Sequence, residues 1–212
     1  DKRNNDFVKI IKIVANKFAR FYIFVIRGTP MMVQSLIFYY AIFNLFKRTG
    51  MSVTEINRVW SLFISGLVTV SLNSTAYLAE VLRGGILAVD AGQMEAARSL
   101  GMTHWQAMRR VVFPQAIKNS LPAIGNEFII NIKDSSVLCV LGVSDLMFMT
   151  RSVAGIYYKG TECYLIAATV YLFLTYLSSL LLKTITGRMT APDNTKRRQG
   201  NQTVDLGLPS SN

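Results

Sequence analysis

Three long runs without a single charged residue constrain this chain more than any other feature. They cover residues 30–46, 59–79 and 163–182, which is 17, 21 and 20 residues. (Arg58 and Glu80 bracket the second.) A helix rises 1.5 Å per residue, so about 20 apolar residues match the roughly 30 Å hydrocarbon core of a bilayer. Three such runs in 212 residues argue against a soluble fold. The same chain holds 23 Lys and Arg against 12 Asp and Glu, a formal charge of +11. Apolar runs and basic charge are therefore segregated along the chain, and the charge must be explained where it sits.

Much of it sits in three places. Residues 1–28 hold seven basic side chains, residues 83–118 five, and the stretch from Lys183 onward five. The remaining connections hold Lys47, Arg48 and Arg58, then Arg151 and Lys159, with Lys133 alone. A fourth apolar stretch, interrupted, covers 120–132 and 135–149, and Pro122, Gly125 and Gly142 predict a broken or kinked span there. With four spans, the N-terminal arm, the long loop and the tail share one side and carry 17 of the 23 basic residues. The excess of Lys and Arg marks that side as cytoplasmic. The charge then records topology, and a nucleic-acid patch is not needed to explain it.

The expected organisation is all-α: a polytopic helical membrane bundle with four spans in this chain. Residues 1–28 form a basic arm in which Phe7, Val8, Ile11, Val14, Phe18, Phe21 and Val25 recur at near-helical spacing, as in an amphipathic helix on a membrane surface. A solvated basic arm is the plainer alternative. Residues 29–186 form the membrane domain, and 187–212 a flexible cytoplasmic tail, polar from Asp193 and carrying Pro209. The opening at Asp1 rather than Met reads as a fragment of a longer product. Cys139 and Cys163 have neither metal-site nor disulfide spacing. His104 is the single histidine, so no His-based metal or catalytic cluster can be assembled.

The loop between the second and third spans carries the chemistry. Asp90 with Gln93 predicts a capping box that opens a helix through Glu95, Ala96, Ala97 and Leu100. Gly101 ends it at a left-handed position. Thr103 with Gln106 predicts a second box, whose helix runs through Trp105, Met108, Val111 and Val112 until Pro114 stops it. The small Ala96 and Ala97 permit close approach by another protein, and Leu100, Met102 and Trp105 suit burial in a partner's groove. A hairpin packed only on its own membrane domain remains the alternative on spacing alone.

Glu95-Ala96-Ala97, three residues, Gly101, nine residues, then Val111-Val112-Phe113-Pro114 resembles the EAA loop of ABC importer permeases, whose pattern is Glu-Ala-Ala-x3-Gly-x9-Ile-x-Leu-Pro. The departures, Val111 for Ile and Phe113 for Leu, are apolar exchanges. Arg27-Gly28-Thr29-Pro30 with Val33-Gln34, Ala76-Tyr77-Leu78-Ala79-Glu80 with Arg83-Gly84-Gly85-Ile86, Gly92-Gln93 and Lys133-Asp134-Ser135-Ser136 narrow it to permeases of the polar amino acid importers (the histidine, glutamine, glutamate and arginine type). The resemblance covers residues 20–182. It implies a type I importer fold, normally of five spans, with a first span before the basic arm.

The resemblance implies a division of labour. Two permease subunits, alike or different, form the pathway for an L-amino acid across the bacterial cytoplasmic (inner) membrane, with the C-terminus cytoplasmic. Loop 90–114 is the coupling segment, in which Glu95, Ala96, Ala97, Gly101, Met102, Thr103, Trp105 and Pro114 meet a separate ATP-binding subunit. That partner uses ATP and Mg; this chain binds no cofactor and no metal, and it has no GxxxxGK[ST] phosphate loop. An extracytoplasmic substrate-binding protein delivers the solute.

Polar groups inside spans are candidates for the pathway. Asn73 with Tyr77, four apart and on one helical face, could donate to a carboxylate, with Thr75 nearby. Asn126 with Glu127 could accept from an ammonium. The structural alternatives are interhelical bonding by Asn73, an internal Lys133–Asp134 pair bracing the broken span, and a bracing role for Glu80 and Arg83 at the membrane edge. Two other classes compete. A secondary carrier would show inverted repeats, and none is evident. A membrane-embedded enzyme would need nucleophile, base or metal ligands in the loop, which has one His, one Glu, one Asp and no Cys. An ABC permease for another solute differs only in the flanking motifs.

Overall fold

The structure, a computed structural model, describes residues 2–189, with side chains for residues 9–187. Nine α-helices, one π segment and one 3₁₀ segment account for the elements among the described residues, and no strand occurs among them. Helix α1 (Lys2–Gly28) meets α2 (Met31–Arg48) at a bend of 113°. A short α3 (Val53–Val59) leads into α4 (Leu62–Leu87). Then come α5 (Ala91–Ser99), α6 (His104–Ala107), the π segment Met108–Val112 and α7 (Phe113–Asp134). The 3₁₀ segment Ser135–Val140, α8 (Leu146–Tyr157) and α9 (Gly160–Met189) complete the order. The tail expected over 187–212 lies outside the described residues from residue 190 on, while residues 187–189 still belong to α9.

Helix α4 is the centre of the bundle and packs against α1, α2 and α7, and α7 in turn packs against α9. By length and apolar content α4 and α9 can each cross a membrane, and α1 with α2 qualifies as a bent pair. Helix α7 carries Lys118, Glu127, Lys133 and Asp134 and owes its place to packing between α4 and α9 rather than to apolarity. On α9, Leu165, Ile166, Leu172, Phe173, Tyr176 and Leu181 are all exposed, the surface a lipid-facing helix presents.

The approach of α4 to α7 is set by small side chains. Ala76, Ala116 and Ser120 are buried at 0, 1 and 2% exposure. A Cβ added to Gly85 would collide with Ser120 Oγ and stand 2.7 Å from the carbonyl oxygen of Ala116. The neighbouring Gly84 has nothing within 4 Å of such a Cβ. Small residues at a helix crossing let backbones approach where lipid offers no hydrophobic drive.

Several local expectations are corrected. The second span, read as 59–79, is a helix that continues past Glu80 and Arg83 to Leu87. Its polar end is stabilised because Arg83 donates to both carboxylate oxygens of Glu80 at 2.8–3.2 Å, and because Gly85 packs on α7. Pro114 does not stop the second hairpin helix. The chain is helical from His104 to Asp134, with Pro114 near the start of α7, where a missing N–H matters least. The π segment just before it absorbs the change of register, and the Phe113 N–H reaches back five residues to the carbonyl of Met108.

The third span is thus not broken at Pro122 or Gly125, both inside α7; the break falls after Asp134, at the 3₁₀ segment and a turn where Gly142 has φ +92°. Lys133 and Asp134 are exposed and do not pair with each other, since neighbours on a helix point about 100° apart. The 47–58 connection contains α3, opened by a capping box in which Ser52 accepts from the Glu55 N–H and Glu55 accepts from Ser52. Those bonds hold the Glu55 carboxyl below the usual carboxylate range.

Gly85→Ala is expected to destabilise the detergent-solubilised protein by about 1–3 kcal/mol through overpacking. Gly84→Ala, with open space, should leave the melting temperature nearly unchanged. Equal melting of the two variants would contradict the close-packed crossing.

Candidate functional site: the coupling hairpin and the polar face of the central helix

The hairpin is built from local chemistry. Asp90 caps α5, though not by a capping box: its Oδ1 accepts from the Gly92 N–H at 2.8 Å. Gln93 instead accepts at Oε1 from Gln115 Nε2 at 3.2 Å, which ties the first limb to the start of α7. The first limb ends in a complete Schellman turn. The Met102 N–H donates to the carbonyl of Ala97 at 3.2 Å and the Gly101 N–H to that of Arg98 at 3.0 Å. Gly101 has φ +82° with open space where a Cβ would stand, so its glycine is required by backbone conformation alone. The Thr103–Gln106 capping box is formed in both directions, at 2.9 and 3.3 Å.

Side chains sort by face. Ala97 and Ala107 are buried inside the hairpin, while Glu95, Ala96, Thr103, His104 and Pro114 are exposed and Met102 is half-buried. The Glu95 carboxylate has no intrachain partner among the described residues. Leu100 is 81% exposed and Trp105 70% exposed, on either side of the turn. Two large apolar side chains held at the tip of a capped hairpin, with no other described residue over them, form a surface suited to a groove in another protein.

The pathway candidates divide. Asn73 donates from Nδ2 to Gln34 Oε1 at 3.2 Å. Gln34, buried, donates in turn to the carbonyls of Ile26 (2.7 Å) and Thr29 (2.9 Å) and to Thr29 Oγ1 (2.7 Å). It thereby satisfies carbonyls that the end of α1 leaves open. Tyr77 lies under the Arg27 guanidinium, 5.1 Å from its ring centre. Thr75 is exposed on another side of α4 and donates to the carbonyl of Ser71 at 2.7 Å. Asn126 is exposed on α7, whereas Glu127 is half-buried and lies in the field of Arg27 and Asp134. Asn73 and Tyr77 therefore share a face, Thr75 does not join them, and Asn126 and Glu127 point apart.

Sequence reasoning passed over Gln34, Arg27 and Tyr22, which complete the side of α4 that faces α1 and α2. Gln34 and Arg27 entered only as members of a motif, yet they flank the α1–α2 bend and both reach α4. Tyr22 donates to the carbonyl of Leu72 at 2.5 Å, and Asn131 donates to Ser74 Oγ at 2.9 Å. A polar residue repeated on facing apolar helices was the available signal. At the other end of α4, about 37 Å from the hairpin at 1.5 Å per residue, an open cavity of ≈ 490 Å³ is lined by residues that include Tyr39, Asn57, Ser61 and Ser144. None of the pathway candidates lines it. Among the described residues no group of three or more His, Cys, Asp or Glu gathers to hold a metal ion.

Known proteins are similar to this chain in sequence and fold. The family of binding-protein-dependent transport system inner membrane components matches residues 11–191. The chain is 34% identical over 176 residues to the glutamine transport system permease protein GlnP of Escherichia coli, covering 83% of this chain and 76% of that one. It is 37% identical over 182 residues to the probable amino-acid permease protein YxeN of Bacillus subtilis, covering 86% and 78%. A crystal structure of an amino acid ABC transporter with histidines superimposes with a TM-score of 0.70 at 44% identity, covering 85% of this chain and 78% of that one. The chain belongs to the family of binding-protein-dependent transport system inner membrane components, and is a multi-pass permease subunit of an ABC importer rather than an enzyme.

Proposed function

We propose that this permease carries an L-amino acid, and that its hairpin docks by Leu100, Met102 and Trp105 into a groove of the ATP-binding subunit. The observation that carries the docking is the exposure of Leu100 and Trp105 at a tip that Gly101 and two caps make rigid. Glu95 and Thr103 form the polar rim of the contact and the small Ala96 lets the partner approach, while Ala97 and Pro114 shape it from within and behind. The names of the relatives, glutamine and amino-acid permeases, support the solute class.

In this reading ATP and Mg are used by the partner, and closure of two ATP-binding subunits moves two hairpins. Because the second limb runs without a break into α7, a displacement at the hairpin becomes a tilt of α7 against α4. Differential binding of ATP to one tilt is what drives the alternation. A second permease subunit supplies the other half of the pathway, and an extracytoplasmic binding protein delivers the solute. The C-terminus is cytoplasmic and the basic face of α1 lies along the inner headgroups, as the distribution of Lys and Arg supports. Glu127 is the pathway residue favoured for the ammonium, since Asn73 and Tyr77 are already engaged within the bundle.

The transporter reconstituted with its ATP-binding subunit and binding protein tests this. ATP hydrolysis should rise with one L-amino acid of a panel. Trp105→Ala should weaken copurification of the ATP-binding subunit by about tenfold or more, as loss of an aromatic anchor does. Gly101→Val should abolish stimulated hydrolysis while membrane insertion persists. Hydrolysis indifferent to every amino acid would remove the solute assignment, and normal uptake by Gly101→Val would remove the coupling role. Glu127→Gln should raise the amino acid concentration needed for half-maximal uptake at least severalfold; an unchanged value would take Glu127 out of the pathway.

A further inference from the structure

We infer that Arg27 is a positioning residue for the transport cycle: it latches the N-terminal arm to the hairpin-bearing end of α4, competing with Arg83 for one carboxylate, Glu80. The inference rests on the coupling role proposed for the hairpin.

Residues 9–21 of α1 are all exposed, and among the described side chains burial begins in its last two turns. There, two neutral ties are made deep in the contact, Tyr22 to the Leu72 carbonyl and Gln34 to both Asn73 and the end of α1. The charged tie is different in kind. Arg27 Nη1 stands 3.7 Å from Glu80 Oε2, beyond hydrogen-bond distance, with 42% of its side chain exposed. Its guanidinium rests on the face of Tyr77, one helical turn before Glu80.

Glu80 is meanwhile occupied. Arg83 donates Nη2 to Oε2 at 2.8 Å and Nε to both oxygens at 3.2 Å. Arg27 is thus parked on the ring beside a carboxylate that its rival holds. A rotamer change at Arg83 would free Oε2, and Arg27 could close by about an ångström to a charge-assisted hydrogen bond near 2.8 Å. Partial exposure keeps both pairs cheap to exchange. The neutral ties are indifferent to that exchange and keep α1 attached throughout.

The exchange lies on the mechanical route. Glu80 and Arg83 occupy the last two turns of α4, and the chain passes from Leu87 to Asp90, the cap of the hairpin's first limb. A change in how α4 is held at Glu80 is therefore felt at the hairpin, and a displacement of the hairpin is felt at the arm.

The competition has a signature that a static brace lacks. Arg27→Gln and Arg83→Gln each remove one positive charge from the same carboxylate, yet the first abolishes the latch and the second strengthens it. The assembled transporter in liposomes, with its ATP-binding subunit and binding protein, gives the readout: ATP hydrolysis with the stimulating amino acid divided by hydrolysis without it. The two variants should shift this ratio in opposite directions, each by about threefold, the scale of a partly exposed ion pair. Arg27→Lys, which keeps the charge and loses planar stacking, should move it the same way as Arg27→Gln but less. With a stimulated wild type, shifts in the same direction or no shift in either variant overturn the latch alone. A wild type without stimulation overturns the coupling role and the latch with it.

Discussion

A polar group on a helix in hydrocarbon must find its partner inside the protein, because no water is there to supply one. Helix α4 meets that constraint on two faces at once. Toward α2 its Asn73 bonds Gln34, and toward α7 its Ser74 and the Val81 carbonyl bond Asn131 and Ser120. These bonds specify which helices adjoin α4 and in what rotation, where apolar side chains alone would pack equally well on lipid. Gln34 is the busiest of them. With one amide it joins α4, α2 and the open end of α1, and so sets the bend at which the arm leaves the bundle.

The same helix is where the bundle meets the hairpin. Its C-terminal end leads directly into the capped first limb of the hairpin, and the second limb is continuous with α7, the helix packed most closely on α4. The hairpin is therefore joined to the membrane core through both of its limbs. The Gln93–Gln115 bond closes its base and the Schellman turn at Gly101 closes its tip. A π segment in the returning limb is the one irregularity, and it lies between the tip and Pro114. Closure at both ends suits the coupling role proposed for the hairpin, since a compliant loop would absorb a displacement before it reached α4 and α7.

Much of this was legible in the chain. The uncharged runs located three helices, Gly101 announced a left-handed turn, and Thr103 with Gln106 announced a cap, because each of these depends on neighbours a few residues away. The errors came where a local signal is answered by a partner or a register change that the signal itself does not show. Pro114 reads as a stop, yet a register change upstream made its missing N–H harmless. Glu80 and Arg83 read as the end of a span, yet their pairing with each other let the helix run on. Gln93 reads as the partner of Asp90, yet Gln115 was within its reach. Lys133 and Asp134 read as a pair, although adjacent helical residues diverge.

Sequence by itself therefore determined that this is a helical membrane protein, which uncharged runs form its long helices, and that a two-limbed loop stands between the second and third spans. Hydrophobic length and short-range capping are properties of contiguous residues. Only the tertiary structure decided which polar side chains meet across helices: Gln34 with Asn73, Asn131 with Ser74, and Arg27 with Tyr77 beside Glu80. Residue spacing along one helix tells which side chains share a face. It does not tell which face of another helix will stand opposite, since that depends on how closely small residues such as Gly85 and Ser120 let the backbones approach.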